Sequence, residues 1–195
     1  IVKLIATGKG IICIETEWEI TTKASRRYLN SEPLLQFLSK THGVPYIYRK
    51  VATIEELKYY FKHFSKKEYS NKYNVFYFSF HGETHVISLE SGEFLDLEQL
   101  ADMANGLFEG KYVHFGSCRT MLGSQTRIEQ FRECTGAKMV SGFTTSVDCT
   151  LCAIHDAAFI AEIMTCKQTS AIISHMNRLY GGLQKKLGFK YAPLK

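Results

Sequence analysis

Proline is scarce in this chain, with three in 195 residues, and tryptophan occurs once. No low-complexity tract and no Pro-, Gly- or Ser-rich stretch divides the sequence, so neither a linker nor a disordered arm is expected. The length then points to one α/β domain over residues 1–195 rather than two, with a core large enough to stand without disulfide or metal staples. No apolar run approaches the roughly 18 residues that suggest a membrane-spanning helix. The opening stretch IVKLIATGKGIICIE carries lysine and glycine among its apolar residues and no signal-peptide cleavage pattern. The expectation is a cytoplasmic protein with no membrane partner.

Lysine and arginine are missing altogether from residues 74–110, which hold seven acids, although the whole chain has a net charge of +5. The basic excess on either side is scattered rather than gathered on one element, which argues against nucleic acid as a partner. The acidic segment is either a solvated surface or one that attracts basic peptides. Six cysteines are present, at 13, 118, 134, 149, 152 and 166. Without a secretory signal they read as reduced thiols. Cys149 and Cys152 make a CxxC with no second pair or HxxxH partner, so they read as two small buried residues rather than a zinc site. No histidine pair has metal-ligand spacing beside an acid, so neither metal nor cofactor is expected.

What is abundant is the alternation of apolar runs with helical patterns, which predicts a mostly parallel sheet covered on both faces. Strands are predicted at 11–15 (IICIE), 44–50 (VPYIYRK), 74–80 (NVFYFSF), 111–116 (KYVHFG) and 137–142 (AKMVSG), with a small hairpin at 85–89 and 93–95 around Ser91-Gly92. Helices are predicted at 31–42 (Ser31 capping, Gly43 ending it), 54–65 behind a Thr53–Glu56 capping box, 97–108 behind Asp96, 124–135, 149–165 and 168–187. SKKEYSNKY reads as a polar loop. His114 reads as packed in its strand, His155 and His175 as helix residues, and His85 as a residue of the hairpin outside the chemistry.

In such sheets active sites lie beyond the carboxyl ends of the strands. Three places qualify: Glu15–Glu19, His81-Gly82 and Ser117-Cys118. A thiolate is the nucleophilic form of cysteine, and an imidazole beside it can take the thiol proton and later return it. Gly82 leaves the backbone free to approach a substrate carbonyl, so the N–H groups of Gly82 and Cys118 are candidate oxyanion donors. Each signal alone is weak; HG and SC after successive strands, in that order, are together much stronger.

The segments FYFSFHGE and YVHFGSCRTM resemble the His-Gly and Cys motifs of caspase-like cysteine peptidases, and most closely those of CHAT domains. HVISL, Gly92 and LDLEQLA resemble the hairpin and helix between the CHAT catalytic residues, and AKMVSGFTTSVDCTLCAIHDAAFIAEI the strand, Val-Asp turn and helix that follow the Cys helix. The likeness covers about residues 75–165. It implies a three-layer α/β/α caspase-like fold, a catalytic dyad of His81 and Cys118, Gly82 shaping the oxyanion hole, and an acidic residue at Asp148. The departures are Ser117 where a smaller residue is common, Phe143 in place of Trp, and no accompanying repeat domain, which suggests a separate activating or targeting partner. The resemblance further implies a protein or peptide substrate cleaved through a thioester, with a role in bacterial defence or regulated cell death. Glu15, Glu17, Glu19 and Asp148 suggest a pocket for Arg or Lys before the scissile bond; salt bridges from these acids to Lys23, Arg26 and Arg27 are the equal alternative. A catalytically silent CHAT-like domain that binds partners is the second reading. A different α/β hydrolase fits less well, because Thr120 stands where its elbow needs glycine and its histidine follows the nucleophile.

Overall fold

The computed structural model describes residues 10–17 and 30–193. Five strands run parallel: β1 (Gly10–Thr16), β2 (Tyr46–Val51), β3 (Tyr73–Ser79), β7 (Tyr112–Phe115) and β8 (Met139–Phe143). A sixth, β9 (Phe189–Pro193), pairs antiparallel with β8 and closes that edge in the order β2-β1-β3-β7-β8-β9. Central strands of such a sheet are buried on both sides, and β1 and β7 are accordingly buried at every residue.

Helices flank both faces. On one, α1 (Glu32–His42), α6 (Cys149–Thr165) and α7 (Thr169–Leu187) pack on Ile11, Cys13, Val75, Tyr77 and Met139. On the other, α2 (Ile54–Phe64), α4 (Leu97–Ala104) and α5 (Gln125–Thr135) pack on Ile12, Ile14, Phe76, Phe78 and Val113. The period-two alternation of side chains along each strand creates these two surfaces. No helix among the described residues is long and apolar enough to cross a membrane.

The predicted helix ends hold at Thr53, whose hydroxyl and Glu56 form the capping box, and at Asp96, which does the same with Gln99. Ser31 differs. Its own backbone is helical, and it is Asn30 Oδ1 that accepts the Glu32 N–H at 2.8 Å, leaving the Ser31 hydroxyl for another partner. The helix after Asp96 stops at Ala104 rather than 108, because Asn105 turns left-handed with φ 41°. The stretch read as a polar loop contains a short helix, α3 (Lys67–Ser70).

The hairpin of β5 (Val86–Ser88) and β6 (Phe94–Asp96) is as expected, but a third strand joins it. This is β4 (His81–Glu83), antiparallel to β5 with His81 opposite Ser88. The histidine predicted to follow a buried strand therefore begins an exposed one of its own.

Candidate active site

β3 and β7 are adjacent and parallel, with Phe78 opposite Phe115, so the chain leaves both strands at the same end of the sheet. Successive segments then cross. Gly82 lies so close to the following loop that a Cβ there would fall 2.1 Å from the Cys118 carbonyl oxygen and 2.9 Å from Ser117 Cβ. Glycine at 82 is thus a packing requirement: any side chain would push the Cys118 loop away. Ser117 adds a tie, its hydroxyl accepting the Phe80 N–H at 3.3 Å.

The loop carrying Cys118 is held under strain. Arg119 has φ 56°, the left-handed region that side chains avoid. The turn persists because the end of the adjacent strand β8 and the residues after it fix it: Arg119 N–H donates to Thr145 O at 3.1 Å and Met121 N–H to Phe143 O at 3.0 Å. The Val147 N–H points at Cys118 Sγ at 3.4 Å, orienting the half-buried thiol. Among the described residues no hydrogen bond occupies the Cys118 N–H.

His81, Gly82 and Cys118 open onto one crevice of about 680 Å³, shared with Glu15, Ser79 and Val147. It lies beyond the carboxyl ends of β1 and β3. There the strand order reverses, with β2 on one side of β1 and β3 on the other, which is where open α/β sheets place ligands.

Glu15 forms the floor. Its side chain is 1% exposed, yet it is well satisfied. The Ser31 hydroxyl donates to Oε1 at 2.9 Å, the Ser31 N–H at 3.1 Å and the Ser79 hydroxyl at 3.0 Å, while the Tyr48 hydroxyl donates to Oε2. Burial, followed by the hydrogen bond to Glu15 and its charge, pushes the Tyr48 hydroxyl far up, so it stays a donor. The Pro33 and Leu34 side chains line the wall nearby.

Asp148 is corrected. It is exposed and caps α6, accepting the Thr150 and Leu151 N–H groups at 3.0 Å, and it does not line the crevice. A cap and a pocket acid are the same letter in sequence. Glu17 pairs with Lys50 at 3.2 Å on the surface. Glu19, Lys23, Arg26 and Arg27 lie outside the described residues. The CxxC splits, with Cys152 buried and Cys149 exposed. His85 turns away from the crevice: its N–H donates to Thr120 O at 3.2 Å and its Nε2 accepts the Ser124 N–H at 3.1 Å, tying the hairpin to the far end of the Cys118 loop. Burial, then the charges of Arg127 and Lys190, holds its imidazole below the usual range.

A family model matches residues 8–192. The chain belongs to DUF6642, a family of unknown function. No curated protein matches it.

Behind the crevice, this DUF6642 member buries a polar cluster that the separate residues did not announce. The Asp156 carboxylate accepts from the Tyr77 hydroxyl and His114 Nε2 at 2.9 Å, His155 Nδ1 at 3.1 Å and the Cys152 thiol at 3.4 Å; His114 Nδ1 meets Ser141 Oγ at 2.9 Å. Burial pushes the Asp156 carboxyl up, but the charge and hydrogen bond of His114, with those of His155, outweigh it and hold the group well below the usual carboxylate range. The Tyr77 ring also lies where a Cβ on Gly116 would stand, two residues before Cys118. Cys152 borders the crevice as Cys118 does, yet burial and then the Asp156 charge push its thiol far up, so it remains protonated and unreactive. The signal for the cluster was a histidine inside an otherwise apolar strand and a His-Asp pair inside the apolar helix CAIHDAAFIAEIM.

Proposed function

We propose that this protein is a caspase-like cysteine endopeptidase of the CHAT type, acting through His81 and Cys118. The observation that carries it is the close packing of the His81-Gly82 strand against the Cys118 loop, with both opening onto one crevice at the switch point of the sheet. The His-before-Cys order and the segments flanking both residues support the same reading.

In this mechanism His81 takes the Cys118 thiol proton and Sγ bonds to the scissile carbonyl carbon. The N–H groups of Gly82 and Cys118 hold the oxyanion. Collapse to a thioester breaks the C–N bond, and the imidazolium returns its proton to the leaving amine. Water, activated by His81, then hydrolyses the thioester and restores the thiol. No cofactor takes part. The buried Glu15 carboxylate below the apolar walls suits the stem and charge of an Arg or Lys before the scissile bond. Protein substrates and an activating partner follow from the same reading, as do an intracellular setting and a role in defence or controlled cell death.

Labelling with a peptidyl acyloxymethylketone ending in Arg tests the dyad. Cys118 is expected to label, and Cys118→Ala or His81→Ala to abolish it. If Cys118 reacts no faster than the other five cysteines, the domain is a partner-binding module rather than a peptidase. Peptide-library cleavage tests the pocket separately: a preference for Asp or apolar residues overturns the role of Glu15. Gly82→Ala is expected to lower kcat by about 100-fold with KM little changed, because the added methyl displaces the nucleophile's loop.

A further inference from the structure

Far from the crevice, three groups of different chemistry meet where α6 turns into α7. Glu162 and Cys166 stand four residues apart at the end of α6 and share one side of it. Cys166 closes the helix, its N–H donating to Glu162 O at 2.8 Å, which fixes the two relative to each other. His175 faces them from the second turn of α7. Its Nδ1 lies 2.9 Å from Glu162 Oε2 and 3.7 Å from Cys166 Sγ, and that sulfur lies 3.3 Å from the same Oε2.

We propose that Glu162, Cys166 and His175 form a site for a divalent transition-metal ion of the zinc class, with three protein ligands and a fourth position for water. Metal–donor bonds of about 2.0–2.3 Å in a tetrahedron set donor atoms about 3.3–3.7 Å apart, so the triangle needs an adjustment of about half an ångström at most. Binding displaces the thiol proton, and His175 binds through Nδ1 as the neutral imidazole with its proton on Nε2. The thiolate and carboxylate then neutralise the divalent charge. One sulfur, one nitrogen and one oxygen donor suit zinc and disfavour magnesium or calcium, which take oxygen alone.

A second triangle, of His114, His155 and Asp156, also has its donor atoms within 4.8 Å of one another. It is the weaker candidate because all three side chains are fully buried and the Asp156 oxygens already accept from Tyr77 and Cys152 as well. By contrast the His175 side chain is 43% and Glu162 21% exposed, which gives an ion a route in and room for water. Sequence spacing hid the surface site because its third ligand comes from the next helix. An ion there would pin α6, whose first turn borders the crevice at Cys149 and Cys152, to α7.

The site stands apart from the peptidase reading and is tested with that chemistry removed. Full-length Cys118→Ala protein is stripped with chelator and titrated with Co2+ and, separately, Zn2+. One equivalent of cobalt should give the near-ultraviolet bands of a cobalt–thiolate bond, and zinc should displace it and raise Tm. Adding Cys166→Ser should remove the bands. His175→Ala should weaken binding by more than about 100-fold, since loss of even an outer partner of a ligand costs about 10–100-fold. Circular dichroism checks that each variant is folded, and Glu162→Gln serves where one is not. Absence of the bands in the Cys118→Ala protein, or their persistence after Cys166→Ser, overturns the proposal.

Discussion

On one face of the central sheet, the Phe76, Phe78 and Phe115 rings meet those of Phe61, Phe108 and Phe131, with ring centres 5.0–6.4 Å apart. On the other, Tyr77 and His114, each one residue along the same two strands, close with Ser141 of β8 around Asp156. Both faces are dry, and both are contributed by β3 and β7. The aromatic face gains from area removed from water and from contacts that neighbouring residues can share. The polar face depends on four donors reaching one carboxylate, so it hangs on that group: with the carboxylate missing, the donors stay buried and unpaired. From the polar face the Tyr77 ring and the Cys152 thiol border the crevice.

The sharpest way to break this comparison is Asp156→Asn. The change is isosteric, but it removes the charge on which two imidazoles, a hydroxyl and a thiol converge, and should cost about 3–5 kcal/mol in urea unfolding at pH 7. Its pH dependence has a definite sign. The folded carboxyl titrates below its unfolded value of about 3.9, so its contribution is whole above that value and is lost as pH falls toward the folded pKa. The stability gap between wild type and variant should stay constant from pH 7 to about pH 5 and shrink below about pH 4. A gap that stays flat into acid would mean that shape, not charge, holds the cluster.

These two faces were unequally legible in the sequence. The aromatic face follows from apolar runs such as NVFYFSF and from caps at Thr53, Asp96 and Gly136, which are local signals. The polar face joins residues from β3, β7, β8 and α6, so each member looked like an ordinary packed residue until the strands were paired. Locality explains the other gaps as well. His81-Gly-Glu is a strand only because residues 86–88 pair with it. Phe189–Pro193, with Lys190 inside it, lacks the apolar run of a central strand because it lies on an edge. The positions of His81 and Cys118 were legible because each follows a strong buried strand; the use of Asp148 as a cap was not, since an aspartate before a helix suits a cap and a pocket alike.

Tyr77→Phe sharpens the comparison with a smaller effect. It leaves the ring over Gly116 and removes only the hydroxyl that donates to Asp156 at 2.9 Å. A hydrogen bond to a charged group contributes about 1.5–3 kcal/mol, and the loss should appear as a lowered urea midpoint with the slope unchanged. On the proposed function, Cys118 labelling by the ketone probe should also slow, since the ring backs the loop before the nucleophile; an unchanged rate would separate the cluster from the site.

The smallest effect is expected on the aromatic face. Leu100 is fully buried on α4 within that packing, and Leu100→Met keeps its volume and helix propensity while changing its shape. Cores accept such swaps at below about 1.5 kcal/mol, because neighbours adjust rotamers and no polar group is left unpaired. Urea unfolding should therefore show a loss less than half of that for Asp156→Asn, although both changes conserve size. If Leu100→Met proves as costly as Asp156→Asn, the aromatic face is as intolerant as the polar one, and the difference between them lies in packing density around α4 rather than in the demands of a buried charge.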